Sequence, residues 1–252
     1  MKLSVCLPIV YPELTLDEAL RRAGELGYLY AECWRVRDEE VAPLKRAISE
    51  SGVTLLSIVA DDFVLNDASA RERWLSHLRA CAMRARALGA SFIVTQVGQE
   101  TEATREEQYA SVLAGLRAAL PILKENGITL LIEPLNTKVN HKGYLMEKSA
   151  EAFALVEAVG SPLVRVVYDI YHQQISEGNI IPTIIENLDK IAHLHGAANP
   201  GRCEIFLGEN DYRVILRAVQ EAGYEGAMTL EYHPTLPPDE SLRKTLEYMN
   251  CQ

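Results

Sequence analysis

Four hydrophobic runs in this sequence each end on a side chain that can bind a metal ion or move a proton. The runs are "TLLIE", ending at Glu133; "VRVVYD", ending at Asp169; "IAHLH", ending at His195; and "AMTLE", ending at Glu231. Three carboxylates in one pocket would repel one another unless a cation lay among them, because like charges a few ångströms apart cost free energy. Carboxylate and imidazole groups suit Mn²⁺, Mg²⁺, Co²⁺ or Zn²⁺. The four residues therefore predict a site for one divalent metal ion, provided that the fold brings them together.

That condition is met if the four runs are parallel strands that end at the same edge of one sheet. Short β-rich runs alternate with segments of helical periodicity along the whole chain. Eight strand-like runs can be counted, at residues 3–7, 28–33, 53–59, 91–97, 128–133, 164–169, 191–195 and 227–231. Eight strands alternating with eight helices predict an α/β fold, a (β/α)8 TIM barrel that forms a single domain over residues 1–252. A doubly wound open sheet with fewer units is the alternative. In the barrel the four side chains would face a common mouth, because barrel active sites form at the C-terminal strand ends.

Local signals support this count of elements. The segment "TLDEALRRAGELG" (15–27) has helical periodicity, and Thr15 followed by Glu18 predicts a capping box at its start. Five glycines precede strands where a helix should end in a left-handed residue: Gly27, Gly52, Gly89, Gly127 and Gly223.

Composition excludes several classes of function. Lys plus Arg number 25 against 35 Asp plus Glu, and the resulting net charge of −10 disfavours nucleic acid as a partner. The five cysteines are scattered, without a Cys-x-x-Cys pair, which predicts a reducing cytoplasmic location and no thiolate zinc site. No apolar run approaches the roughly 20 residues that span a bilayer, so no membrane partner is predicted. We interpret "MKLSVCLPIV" as a first strand rather than a signal peptide, since Pro8 interrupts it.

Longer motifs carry a family resemblance. The stretches "LLIEPLN", "GYLMEKSAEAFALVEAVGSPLVRVVYDIYHQQISEGN", "IAHLHGAANPGRCE", "GENDY" and "LEYHP" resemble the hydroxypyruvate isomerase branch of the xylose-isomerase-like barrels. That superfamily also contains ketose 3-epimerases, inosose dehydratases and endonuclease IV. The resemblance is closest over residues 128–234, and before them only the barrel rhythm and fragments such as "ALGAS" agree. The resemblance implies a (β/α)8 barrel. It also implies a homo-oligomeric assembly, because homo-oligomers are common in the family.

The resemblance also implies roles for individual residues. Glu133, Asp169, His195 and Glu231 would be the metal ligands, and Glu133 and Glu231 would also form the acid–base pair. His172 would contact the substrate, and Arg202 would hold a substrate oxygen or carboxylate. Two departures concern the substrate: His195 stands where hydroxypyruvate isomerases are expected to carry glutamine, and "CEIFLGEND" replaces a loop rich in Gly and Pro.

The function predicted from the sequence is thus a metal-dependent isomerase of a small 2-keto acid or ketose. It would act through an enediolate, as in the conversion of hydroxypyruvate to tartronate semialdehyde, with Mn²⁺ or Mg²⁺ preferred over Co²⁺ or Zn²⁺. A ketose 3-epimerase, a metal-dependent sugar or inosose dehydratase and a non-catalytic barrel subunit are the alternatives. Six histidines and the net charge speak against an endonuclease.

Several side chains near the predicted mouth keep more than one interpretation. Lys138, His141 and Lys142 are alternatives to Arg202 as the cation that binds a substrate carboxylate. His193 lies two residues before His195, which predicts a position one layer deeper in the barrel. Trp34 either lines the mouth with Glu32 or packs under the following helix, and packing is favoured.

Overall fold

Eight parallel strands form a closed barrel in chain order in the computed structural model, which describes residues 1–250. The strands are β1 (Lys2–Cys6), β2 (Tyr30–Glu32), β3 (Thr54–Val59), β4 (Phe92–Thr95), β5 (Thr129–Ile132), β6 (Val164–Asp169), β7 (Ile191–Gly196) and β8 (Ala227–Leu230). The sheet closes because β1 pairs with β8 as well as with β2, so that Lys2 lies opposite Ala227. The predicted barrel is therefore confirmed, and the open doubly wound sheet is excluded.

Helices surround the barrel, and residues 1–250 contain ten of them where eight were predicted. They are α1 (Leu7–Val10), α2 (Leu16–Glu25), α3 (Asp38–Ser51), α4 (Arg71–Leu88), α5 (Arg105–Asn126), α6 (Ser149–Val159), α7 (Ile170–Ser176), α8 (Ile180–Glu186), α9 (Tyr212–Glu221) and α10 (Pro238–Asn250). The additional helices are the short α1, which follows β1 directly, and a division of the β6–β7 connection into α7 and α8. Asn179 separates α7 from α8 because it adopts the left-handed conformation.

The predicted helix signals appear in the structure. The Glu18 carboxylate accepts hydrogen bonds from the backbone N–H and the hydroxyl of Thr15, at 3.0 and 2.8 Å, and so completes the capping box of α2. All five glycines expected at helix ends have positive φ angles, between 68° and 103°. No helix within residues 1–250 combines the length and apolar character needed to cross a membrane. The four cysteines of this range are free and buried, and Cys251 lies outside the described residues.

The barrel interior is arranged in layers that determine where the functional side chains lie. Val94, Leu131 and Val167 form a small apolar cluster inside the barrel. Because side chains on one face of a strand recur every second residue, the next inward positions on β5 and β6 belong to Glu133 and Asp169. A much larger apolar core fills the space between the strands and the surrounding helices. The polar residues are thus placed one layer above a packed floor.

Candidate active site

The four residues predicted as metal ligands lie together at the C-terminal end of the barrel. One ligand atom from each of Glu133, Asp169, His195 and Glu231 lies within 4.8 Å of the corresponding atom of every other residue, and all four are buried. Parallel register explains part of this: Asp169 on β6 pairs with His195 on β7. Glu133 and Glu231 each follow the last residue of β5 or β8 directly.

A carboxylate from the opposite side of the barrel orients His195. The Nε2 atom of His195 lies 3.0 Å from Oε2 of Glu32, the last residue of β2. An ionised carboxylate can only accept hydrogen bonds, so Nε2 carries the proton in this contact. The Nδ1 atom then faces Glu133 and Glu231, at 3.5 and 3.3 Å from their oxygens. A neutral His195 held in this way presents its Nδ1 lone pair to the cluster.

His193 lies one layer below His195, as predicted, and contacts the other oxygen of Glu32. Its Nε2 atom is 2.7 Å from Glu32 Oε1 and 2.9 Å from the hydroxyl of Thr229. A single buried carboxylate therefore bridges both histidines of β7. The histidines and Glu32 also form a compact group of potential ligand atoms, but each contact there has the length of an ordinary hydrogen bond.

The clustered carboxylates attract a positive charge. Burial disfavours the charged form of His195, yet Glu32, Glu133 and Glu231 raise its pKa well above the usual value. Burial raises the pKa of Asp169 to about 7, and the nearby Glu231 and Glu133 add to this effect while Arg202 opposes it. Both shifts describe a pocket in which a proton or another cation neutralises the carboxylates.

Glu231 is held by two donors from different parts of the chain. The indole N–H of Trp34 donates to its Oε1 at 3.0 Å, and the Arg202 guanidinium donates to its Oε2 at 2.8 Å. Burial alone would raise the pKa of Glu231, but the charge of Arg202 and the contact with His195 lower it well below the usual range. Arg202 also lies 4.0 Å from Asp169, and its guanidinium is 5.3 Å from the ring centroid of Tyr171.

His172 occupies a fully buried position at the start of α7, beside Asp169. The backbone N–H of Asn136 points at its Nδ1 at 3.3 Å, and because that group can only donate, Nδ1 must be the acceptor. Burial and the charge of Arg202 lower the pKa of His172 well below the usual value. The ring is therefore neutral with its proton on Nε2, which lies 3.5 Å from Asp169 Oδ2 and has no hydrogen-bond partner.

The donor set fits a divalent cation. Oε1 of Glu133 and Nδ1 of His195 are buried without a hydrogen-bond partner, which is costly unless a further group satisfies them. Three carboxylates and one imidazole are the ligand types that such ions prefer. Buried Glu, Asp and His groups are thus positioned to bind a metal ion.

The cluster forms the floor of a cavity of about 570 Å³. His172, Arg202 and His141 line it, together with Trp34 and several apolar side chains. Lys138 is turned away, since its ammonium group donates to the backbone carbonyls of Ile175 and Ser176, at 2.9 and 3.1 Å. Among the alternatives to Arg202, His141 is therefore at the cavity and Lys138 is not.

Sequence reasoning missed the roles of Glu32 and Trp34. The preference for packing Trp34 under the next helix is wrong: its side chain is 40% exposed, lines the cavity and donates to Glu231. Glu32 is the last residue of β2, so a carboxylate at a strand end was the available signal. The strand is only three residues long, which made the pattern weak.

Isomerases are among the proteins of similar sequence. A hydroxypyruvate isomerase of Escherichia coli (strain K12) is 29% identical over 252 residues, covering 96% of this chain and 97% of that protein. A 2-oxo-tetronate isomerase of Cupriavidus necator is 32% identical over 133 residues, covering 53% of this chain and 51% of that protein.

Solved structures show the same fold. An AP endonuclease of family 2 from Brucella melitensis superposes with a TM-score of 0.93 at 24% identity, and 98% of each chain is covered. A D-psicose 3-epimerase from Clostridium cellulolyticum H10, in a structure with D-tagatose, has a TM-score of 0.85 at 17% identity and covers 99% of this chain and 98% of its own. The family model described as "Xylose isomerase-like TIM barrel" matches residues 20–251. This chain therefore belongs to the xylose isomerase-like TIM barrel family.

Proposed function

We propose that this protein is a divalent-metal-dependent isomerase that converts hydroxypyruvate to tartronate semialdehyde through an enediolate. Its isomerase relatives support an isomerase-type enzyme. The observation that carries the proposal is the buried group of four, in which Glu133 and Glu231 come from strands three positions apart around the barrel. Two carboxylates that flank one reacting centre can exchange a proton with it from different sides.

Glu133, Asp169, His195 and Glu231 would hold the metal ion, with Mn²⁺ or Mg²⁺ as the preferred species and Co²⁺ or Zn²⁺ as alternatives. When bound, the ion supplies Lewis-acid polarisation of the substrate carbonyl. Glu32 fixes the proton of His195 on Nε2 and thereby leaves Nδ1 as the ligand atom.

The two glutamates move the proton. One of them removes a proton from C3 of hydroxypyruvate, so that the electron pair of the C–H bond forms the double bond of the enediolate. Protonation at C2 by a glutamate, with transfer of a hydroxyl proton from the oxygen on C3 to the oxygen on C2, gives the aldehyde product. A carboxylate that accepts a proton in one half of the reaction can donate it in the other. Trp34 and Arg202 keep Glu231 oriented through hydrogen bonds to its two separate oxygens.

His172 and Arg202 would position the substrate. The Nε2–H of neutral His172 has no partner and lies at the cavity, so it can donate to a substrate oxygen. Arg202 has donors beyond the two used on Glu231, and guanidinium groups bind carboxylates in a paired geometry. These contacts support a 2-keto acid as substrate.

A ketose 3-epimerase is the second candidate. It is favoured by His195, since the family resemblance implies histidine in most ketose epimerases at the position where hydroxypyruvate isomerases are expected to carry glutamine. An epimerase would use the same two glutamates to remove and return a proton at C3 of a ketose. A metal-dependent dehydratase would share the first step and then lose water.

We further propose a cytoplasmic location, which the scattered cysteines support, and a single domain over residues 1–252. We also propose a homo-oligomeric assembly, which the family resemblance supports. Light scattering of the purified protein tests the assembly, since a mass near one chain, 28.1 kDa, would contradict it.

Deuterium incorporation tests the proposal. The protein is incubated in D₂O with Mn²⁺ or Mg²⁺ and either hydroxypyruvate or a panel of small ketoses, and NMR follows where deuterium appears. Deuterium at C2 of a new aldehyde, lost after chelator treatment and in the Glu133→Gln variant, is the expected result. Deuterium at C3 of a ketose would instead support the epimerase, and no metal-dependent exchange with any substrate would contradict both.

A further inference from the structure

The cavity above the metal-ligand group continues into a second hollow. Arg35, Phe63 and Gln96 line both the main cavity and an adjoining space of about 280 Å³. Arg35 lies in the loop after β2, next to Trp34, whose indole N–H donates to Glu231. Gln96 follows the end of β4. The three side chains therefore mark a second part of the binding space, away from the four ligand groups.

This space is larger than hydroxypyruvate needs. Hydroxypyruvate has seven non-hydrogen atoms, and even at about 30 Å³ for each, the share of one water molecule in the liquid, it would fill roughly 210 Å³. The main cavity alone measures about 570 Å³. More than half of it would remain free, so the site has room for a substrate longer than hydroxypyruvate.

The far part of the cavity contains an uncommitted positive charge. The guanidinium of Arg35 lies 5.7 Å from the ring centroid of Phe63, and no carboxylate within the described chain comes within ion-pair distance of it. Asp62 lines the small hollow, but its carboxylate already pairs with Arg73 and His77, at 3.0 and 3.3 Å. Arg35 thus differs from Arg202, the other arginine at the main cavity, which is bound to Glu231.

We propose that Arg35 and Gln96 form a distal subsite that binds the anionic end, a carboxylate or a phosphate, of a substrate with more than three carbons. This proposal rests on the proposed function, since it places the reacting end of the substrate at the four ligand groups. A guanidinium offers a planar set of donors that matches either anion, and the amide of Gln96 adds a donor and an acceptor. Phe63 gives the substrate chain an apolar wall.

Binding of unreactive probes tests the subsite without requiring turnover. Calorimetry of the Mg²⁺-loaded protein gives the dissociation constants of erythritol, erythronate and erythritol 4-phosphate, which share four carbons and differ in the end group. We expect at least one anionic probe to bind roughly 10-fold more tightly than erythritol, because hydrogen bonds to charged groups are stronger than neutral ones. The comparison of erythronate with the phosphate identifies which anion the subsite takes.

Variants assign the preference to Arg35. Arg35→Gln should remove the tighter binding of the anionic probe, and Arg35→Lys should retain part of it. Arg79→Gln, a change at an exposed residue of α4, is the control and should leave the preference for the anionic probe intact. Thermal melts confirm that each variant is folded. An anion preference that survives Arg35→Gln, equal binding of all three probes, or binding of none would overturn the subsite. Failure of deuterium exchange would overturn the proposed reaction but would leave these dissociation constants as an independent result.

Discussion

Replacement of Glu32 by Gln probes how the barrel prepares His195 as a metal ligand. Glu32 is buried and contacts His195 Nε2 at 3.0 Å with one oxygen and His193 Nε2 at 2.7 Å with the other. Glutamine has one acceptor oxygen and one donor amide, so it can accept a hydrogen bond from only one of the two histidines. The other histidine must move its proton to Nδ1 or lose its hydrogen bond. If His195 is the histidine that moves its proton, Nδ1 carries that proton and no longer offers a lone pair to the proposed metal ion.

The expected loss of metal affinity follows from these contacts. Hydrogen-bonding partners of metal-bound histidines typically contribute 10- to 100-fold to affinity, or about 1.4 to 2.7 kcal/mol. The variant also removes one negative charge next to the ligand group, which acts in the same direction. We therefore expect Glu32→Gln to weaken Mn²⁺ binding by roughly 10- to 100-fold. We also expect the free energy of unfolding to fall by about 1–3 kcal/mol, because a buried donor or acceptor loses its partner.

Competition against a fluorescent chelator measures the Mn²⁺ dissociation constant, and urea denaturation measures stability. Glu247→Gln, a change of the same kind at an exposed residue of α10, is the matched control and should leave both quantities unchanged. If Glu32→Gln binds Mn²⁺ as tightly as the unmodified protein, Glu32 does not control the state of His195 and the reasoning is refuted.

Three further predictions follow from individual contacts. Arg202→Ala should reduce kcat/KM for 2-keto acids roughly 10- to 100-fold more than for neutral ketoses, because it removes the cation that we propose to pair with the substrate carboxylate; equal losses in steady-state assays would remove that role. Tyr144→Phe should lower the free energy of unfolding by about 1–3 kcal/mol in urea denaturation, since its hydroxyl joins the N–H of Val97 to the carbonyl of Glu133, at 2.9 Å each; an unchanged value would contradict that contact. Because burial raises the pKa of Asp169 to about 7, this carboxyl is protonated below that pH and a metal ion must displace the proton. The raised pKa of His195 adds a second proton for the ion to displace, so Mn²⁺ affinity should fall by at least about tenfold per pH unit below pH 7. Calorimetry that finds no pH dependence between 5 and 8 would contradict these shifts.

Much of the fold could be predicted because hydrophobic periodicity and helix-end glycines are local signals. Strands β5 to β8 follow the four runs predicted to end at Glu133, Asp169, His195 and Glu231, with ends that differ by at most one residue. Once eight strands close in chain order, the geometry of a barrel brings their C-terminal ends together. The proximity of these four side chains could therefore be predicted from the number of strands alone. Their roles in metal binding and proton transfer stay predictions.

Contacts between distant segments could not be predicted in the same way. Glu32 and His195 are 163 residues apart, and only barrel closure brings them within 3.0 Å. Trp34 reaches Glu231 across a similar separation, and nothing in the local sequence indicates the direction of its side chain. The division into α7 and α8 was missed because it depends on two consecutive left-handed residues, Gly178 and Asn179.

Anomalous diffraction from crystals soaked in Mn²⁺ tests the central claim most directly. Data collected on either side of the manganese absorption edge locate the ion without reference to activity. We expect one strong peak bound by Glu133, Asp169, Nδ1 of His195 and Glu231. A peak between Glu32 and His193 instead, or no peak among the four predicted ligands, would contradict it.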